Sequence, residues 1–477
     1  MFPGQVTMTE LFSYWPQLQH VQECLRTEAE TIDEALLLAV HEPVGLLRRS
    51  DQNAKDIVST EQDLLKELMR PAGDGSAVIV AITGASGVGK SHMVRWLRAQ
   101  LERHRRRSEL VIVTIPKTAS LRRVVELILA PLPGDAYQAL REELDRTVEA
   151  LEPVKAAGLL GTALAMELHT YEQRLQDDLR SGRVGRELGP RATLARHLHK
   201  IVRDPDVLDA WFSEVLLRII NASLGGSGDP LSRQFNPEDL APPSIALRAI
   251  QSKDVHAGLQ FLANAGGKNR DTAAEILQEV LDPALRTIFG LTQATQRRTV
   301  QELVDDIRQQ LLLDNKELVL LIEDLAALSG IQQPLLDIMI AETDEAGRKV
   351  RAQIRTAVAV TDGFLAGRQT VLTRARGQWI VQSEGLDEEA VVRRLVEITG
   401  RYLNASRFGV SRLKEAFKES GTSGSDLYAW VPKFEECDVT PSQVEAFGKS
   451  VAGYSLFPFN EYAVRSLAAH VLKSSSG

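Results

Sequence analysis

Along this chain the apolar positions fall into short unbroken runs and longer faces with helical spacing, and their order predicts the fold. Ala77 to Ile82 has the length and β-branched content of a buried strand, and Met93, Val94, Leu97 and Leu101 behind it lie at helical spacing. Residues 110–116, LVIVTIP, predict a second strand, and Ser120 through Leu129 a second helix. Strand, helix, strand, helix is the grammar of a parallel, doubly wound sheet. From about Ala136 to Gln310 the pattern changes to successive amphipathic segments, such as AYQALREELDRTVEAL, DVLDAWFSEVLLRII and TAAEILQEVLDPALRTI, with no convincing strand. This stretch reads as a helical insertion large enough for a core of its own, and Gly225 to Pro243, rich in Gly, Pro, Ser and Asp, reads as a loop between two lobes. Strands resume at Glu317 with ELVLLIED, then IRTAVAVTDGF, preceded by a helix holding Arg348 and Arg351, then TVLTRARGQWIVQ.

The two ends are helical in pattern. Within residues 1–59, ETIDEALLLAVHEPVGLLRR is apolar enough for a buried helix that Pro43 ends or kinks. Thr60 starts a short amphipathic helix with Asp63 in its first turn and Pro71 closing it. From about Gly385 the text is helical again. No repeat of fixed period occurs. The expected organisation is therefore an N-terminal helical region (1–59), a first half of an α/β core (60–135), the insertion (136–310), the second half of the core (311–384) and a C-terminal helical part (385–477).

Between the first strand and its helix lie Gly84, Ala85, Ser86, Gly87, Val88, Gly89, Lys90 and Ser91, which fit the phosphate-binding loop pattern at every fixed position. The glycines let the backbone turn its N–H groups inward around an anion, and the following helix offers its positive end to the same phosphates. Lys90 is expected to reach the terminal phosphates and the Ser91 hydroxyl to hold Mg²⁺, with His92 the next residue of the site. The cofactors expected are ATP and Mg²⁺.

A second chemical signal is the pair Glu323 and Asp324 at the end of ELVLLIED. A central strand of an open α/β sheet delivers carboxylates to its C-terminal edge, where ligands bind. Such acids order the shell of a metal ion and polarise an attacking water. The usual order is Asp then Glu. Here either Glu323 serves the metal and Asp324 the water, or Asp324 serves the metal and the base lies elsewhere. A purely structural alternative has the acids capping the next helix.

Charge and composition narrow the picture further. The chain of 477 residues exceeds one ordinary core, and its formal net charge of −8 does not mark the whole as a polyanion binder. The run Arg103-His104-Arg105-Arg106-Arg107 could meet nucleic-acid phosphates, but cations at a helix C-terminus also complement the dipole and face solvent, and no aromatic residues are interleaved. Cys24 and Cys437 are far apart and show no metal-ligand spacing, as expected of a reducing cytoplasm. MFPGQVTMTELF lacks the make-up of a signal peptide, and no apolar run approaches the ~20 residues that span a bilayer, so no membrane partner is expected. His41 and Glu42 admit an acid/base pair, though a packing histidine beside a surface acid is the commoner arrangement.

With both sheet segments read, the chain resembles the AAA+ and STAND-type P-loop ATPases, over the strands but not over the insertion. The resemblance implies a polar sensor residue at Thr361, an arginine finger for a neighbouring subunit at Arg374 or Arg376, and a helical lid from about residue 385 whose second sensor arginine would be Arg465. The segments HEPVGLLRR, TGASGVGKSHMVRWL, IPKTASLRRVVELIL and LFPFN are similar in texture to the N-terminal ATPase part of DpdH-like proteins of bacterial DNA-modification and phage-defence clusters. On that resemblance the chain would be the ATPase portion of a longer protein, a motor or remodelling component acting on DNA or a protein partner. A low-turnover switch or scaffold that assembles through its helical parts, as a homo-oligomer or with partners of the insertion, is the alternative. A GTPase or small-molecule kinase ranks third, because Asn315-Lys316 is followed by Glu317 and Leu318 and lacks the guanine-reading aspartate.

Overall fold

The structure is a computed structural model that describes residues 14–25, 33–49, 55–72, 77–149, 153–181, 188–224, 232, 234–241, 251–263, 268–295, 300–328, 331–345, 348–361, 377–382, 388–420, 430–434 and 442–474. In chain order the strands are β1 (Leu46–Arg49), β2 (Ile57–Ser59), β3 (Val78–Thr83), β4 (Leu110–Ile115), β5 (Glu317–Ile322), β6 (Asp344–Glu345), β7 (Arg348–Lys349), β8 (Ile354–Ala359) and β9 (Gln378–Val381). The helices that bear on the site are α1 (Glu34–Val40), α2 (Glu61–Met69), α3 (Lys90–Glu102), α4 (Asp135–Glu149), α5 (Pro153–Arg180), α6 (Leu188–Arg203), α7 (Val300–Leu313), α8 (Gln332–Ile340), α9 (Glu388–Phe408) and α10 (Glu461–Ser474). Seven of the strands belong to one mixed sheet, as expected of an α/β P-loop NTPase fold.

The chain divides into two compact units, one of Met1–Glu67, Ile82–Ser108 and Gly377–Gly477, the other of Leu68–Ala81 and Glu109–Arg376. In the second unit the strand order runs from the start of β3 through β8 and β5 to β4. β4, β5 and β8 are parallel, with Ile115 opposite Ile322 and Ile322 opposite Val358. All six residues of β8 are buried, which explains why near-continuous apolar runs made these strands legible. Arg355 is the exception in charge. It is satisfied by Glu317 Oε2 at 2.7 Å and by the carbonyls of Leu68 and Arg70 at 2.9 and 2.7 Å.

Among the described residues, two hydrophobic clusters lie in this unit. The sheet's core takes in Ile128, Leu320 and Val358, and also Tyr137 and Leu144 of α4 and Ile307 and Leu311 of α7. The flanks of the insertion are thus sheet-packing helices. Between them, residues from Ala156 to Ile288 gather around Leu164, Leu198, Phe212 and Leu277 in a separate cluster that holds no residue of the sheet. Arg348 and Arg351 do not lie on a helix as expected. α8 stops at Ile340, and the chain doubles back as the β6–β7 hairpin, with the N–H groups of Val350 and Arg351 both donating to Thr343 O at 2.9 and 3.1 Å.

In the first unit β1 pairs antiparallel with β2 and with β9, which makes the sheet a mixed one. This also corrects the wholly helical reading of residues 1–59. Leu46–Arg49 is too short for a stable helix, and β9 offers it a partner edge, Leu46 opposite Val381 and Arg49 opposite Gln378. α1 ends at Val40, with Asp33 capping its start and Pro43 just beyond. Leu36, Ala39 and Val40 pack with Ala405, Phe408 and Leu413 of the C-terminal helices.

Candidate nucleotide site

The loop after β3 is built by backbone geometry that only glycine takes without strain. Gly84, Gly87 and Gly89 have φ of +149°, +81° and +103°. A Cβ on Gly84 would meet Val88 Cγ2 at 2.9 Å and Val381 O at 3.0 Å, whereas at Gly87 and Gly89 it would meet nothing within 4 Å. The first position is closed by protein, and the other two border open space. Gly89 caps α3, so the first N–H groups of the helix have no acceptor within it. Lys90 is buried beneath the exposed Ala85–Gly87 arch, its Nζ donating to Gly84 O at 2.9 Å and Ala85 O at 2.6 Å. Main-chain N–H groups, a helix dipole and an ammonium held by carbonyls make a cradle suited to phosphate. Ser91 is exposed on the first turn.

His92 turns away from this arch into a buried chain that the sequence did not reveal. His41 Nδ1 lies 2.6 Å from His92 Nε2, and His41 Nε2 lies 2.9 Å from both oxygens of Glu61. The imidazole planes are only 13° apart and their centroids 4.9 Å, which is compatible with an in-plane N–H···N bond. Glu61 Oε1 also accepts the Val44 N–H at 2.8 Å. A carboxylate accepting from His41 Nε2–H leaves Nδ1 as acceptor for His92 Nε2–H, which sets both tautomers. His41 therefore belongs with Glu61, the first residue of α2, and not with its neighbour Glu42, which accepts from Arg401 Nε at 2.8 Å. The signal lay at a separation of 20 residues, beyond any local pattern.

Burial, and then the neighbouring His41, push the His92 imidazole down to about 4 from its ordinary 6.5. Because the folded state holds the proton more weakly, stability is complete above about pH 6.5 and is lost as the pH falls through 6.5 toward 4. Denaturant unfolding of His92→Gln should show a shallower fall over that interval than the unsubstituted protein. Superimposable pH profiles would show that His92 contributes nothing to the acid limb.

The same unit holds a cavity of about 460 Å³ lined by Pro43, Gly45, Gln382, Arg393, Arg394 and Arg401, among others. Arg394 is close enough to depress the His92 imidazole further, and it pairs with no carboxylate among the described residues. Arg465 is differently placed. It lies on α10 in a two-pronged ion pair with Glu389, at 2.7 and 2.8 Å, and reaches Glu461 at 3.4 Å. Of the basic run, Arg103 stacks over Phe417 at 4.8 Å and Trp430 at 5.7 Å and donates to Ser420 Oγ at 2.8 Å, while Arg107 pairs with Glu102. Aromatic partners absent from the local sequence are thus supplied by the C-terminal part.

In the second unit Glu323 and Asp324 follow β5 directly. Glu323 is buried, its N–H bound to Ile115 O at 3.1 Å, and Asp324 Oδ1 accepts the Ala326 N–H at 3.0 Å. Asp324 closes a local turn and does not cap the next helix, which starts at Gln332 after Ile331. Thr361 lies two residues past the end of β8, the strand beside β5, so all three residues occupy the C-terminal edge of these parallel strands. Arg374 and Arg376 lie outside the described residues.

Residues 74–179 match the family model described as AAA domain. That match supports a P-loop domain of AAA type over this stretch. The match takes in β3, the P-loop, α3, β4 and the first long helix of the insertion, less than a quarter of the chain. Searches of curated proteins and of solved structures found no match. Among the described residues, no helix is long and apolar enough to cross a membrane.

Proposed function

We propose that this AAA-type domain binds ATP at Gly84–Ser91 and hydrolyses it with Mg²⁺, as the motor or remodelling component of a bacterial DNA-modification or phage-defence system. The observation that carries the nucleotide reading is the loop itself: positive-φ glycines bordering open space, a helix N-terminus and the Lys90 ammonium converge on one cradle. The cavity edged by Arg394 is within the usual size of small-ligand sites, and in this reading it takes the rest of the nucleotide. Ser91, Glu323 and Asp324 offer hydroxyl and carboxylate oxygens, the donor set that Mg²⁺ prefers, and the ion would neutralise phosphate charge. In this reading Lys90 binds the terminal phosphates, Glu323 and Asp324 divide the metal and water roles, Thr361 orients the water, and Arg374 or Arg376 acts on a neighbouring subunit. The DNA-modification and defence context and homo-oligomeric assembly rest on the sequence resemblance, and a cytoplasmic location on the two widely spaced cysteines.

The test is ATP hydrolysis by the purified chain with Mg²⁺, alone and with double- or single-stranded DNA, beside Lys90→Ala. Turnover raised by DNA supports a motor on nucleic acid, with exposed Arg105 as a contact. A second reading, a low-turnover switch that assembles with partners of the insertion, is favoured by the inverted acidic pair and by the commitment of Asp324 Oδ1 to its turn. Tight ATP binding without turnover under any condition would select it. For the lid, Arg394→Ala should weaken ATP binding about tenfold, roughly the 1.4 kcal/mol of one charge-assisted contact, while Arg465→Ala should leave it unchanged, as titration with a fluorescent ATP analogue would report. The reverse ranking would return the sensor role to Arg465.

A further inference from the structure

Inside the insertion, two histidines and a glutamate from adjacent helices converge far from the phosphate loop in sequence. His169 and Glu172 are three residues apart on α5 and therefore share a face, and His199 reaches them from α6. One potential ligand atom from each lies within 4.8 Å of the others. The two imidazole centroids are 5.2 Å apart.

The carboxylate is already oriented. Glu172 is buried, and its Oε1 accepts from Arg196 Nε and from Gln176 Nε2, each at 2.7 Å, which leaves Oε2 without a protein donor among the described residues. His169 Nε2 contacts the Gln173 side-chain amide at 2.9 Å, and His199 has no hydrogen-bond partner among the described residues. Outer groups that bind one ligand atom and so aim the other are the usual support of a metal site. A surface packing cluster has no need to hold a buried carboxylate by one oxygen beside two imidazoles.

From this juxtaposition we propose that His169, Glu172 and His199 form a Zn²⁺ site that clips α5 to α6. Two neutral nitrogens and one carboxylate oxygen are the donor set of zinc, with a fourth, tetrahedral position left to water. Bonds of about 2.1 Å put tetrahedral ligands about 3.4 Å apart, so side-chain movements of about 1 Å complete the set without moving either helix. Arg196 stays as the outer partner of Glu172 and offsets the charge of its carboxylate. The ion joins two helices of the insertion's own core and so ties them together.

The experiment uses the full chain, stripped with a chelator and desalted, titrated with Zn²⁺ against a chromophoric competitor, with Co²⁺ as a spectroscopic probe. One Zn²⁺ per chain, bound more tightly than about 1 µM, is expected, together with Co²⁺ visible bands of a four-coordinate mixed nitrogen and oxygen site. His199→Ala and His169→Ala should each weaken binding about 100-fold, while His256→Ala, elsewhere in the insertion, should keep it. Glu172→Gln keeps the size and the hydrogen-bonding oxygen, so it reports the loss of the ligand charge even if an alanine variant folds poorly. Circular dichroism of each metal-free variant checks the helices. Binding weaker than about 100 µM, or a tight site that survives in His169→Ala, His199→Ala and Glu172→Gln alike, would overturn the proposal.

Discussion

Lys90→Ala is expected to lower ATP affinity by about 10² to 10⁴-fold and to leave the fold intact. In the structure the ammonium donates to two main-chain carbonyls of its own loop, Gly84 O and Ala85 O. These are neutral contacts that hold the side chain ready, and their loss costs only about 1 kcal/mol each. Against phosphate the same group makes charge-assisted bonds of about 1.5–3 kcal/mol each, and two of them account for the expected range. Lys90→Arg should not rescue, because a planar guanidinium cannot fit under the arch that buries Lys90. Glu323→Gln and Asp324→Asn act differently. They should keep nucleotide binding and lower hydrolysis by about 10² or more. Asparagine at 324 retains the Oδ1 that accepts from Ala326, so the turn survives and only the charge is lost. Hydrolysis equal to that of the unsubstituted chain in both carboxylate variants would remove Glu323 and Asp324 from the chemistry.

The second large effect is expected at His41, which is linked to the helix after the phosphate loop through His92. Its ring is buried between a histidine and a carboxylate. Alanine there removes the His41 donor to Glu61, removes the acceptor of His92 Nε2 and opens a hole beside Trp96, whose ring lies 6.0 Å from that of His41. One orphaned buried polar group and one cavity together predict a loss of about 3 kcal/mol in unfolding free energy. The damage should extend to function. His92 is on the first turn of α3, next to Ser91, so a loosened His92 weakens the anchor of the phosphate loop, and ATP affinity should fall with stability. His41→Gln, which can both donate and accept, should recover part of each. Denaturant unfolding and nucleotide titration measure the pair, and a variant within about 0.5 kcal/mol of the parent would show that the chain of hydrogen bonds holds nothing.

What the sequence by itself determined is whatever depends on neighbours along the chain. Gly84 to Ser91 is a local conformation written in local residues, because positive φ is a property of glycine before any packing occurs. The central strands are equally legible, since a strand buried on both faces is apolar over most of its length, as Val78–Ile82 and Leu318–Ile322 are. Helices of the insertion follow from their period, and its separate core from its length. What only the tertiary structure decided is whatever depends on a partner far away in the chain. Leu46–Arg49 became a strand because β9 supplied the missing hydrogen-bonding edge. Arg348 and Arg351 left the helix because the chain turned back at Thr343. Arg103 found its aromatic partners 314 and 327 positions on, at Phe417 and Trp430, and Arg465 spent its charge on Glu389. The link from Glu61 through His41 to His92, and the meeting of His169 and Glu172 with His199, arise the same way. Local propensity sets φ and ψ, but only chain folding brings a side chain within the ~3 Å at which a hydrogen bond or a shared ion acts.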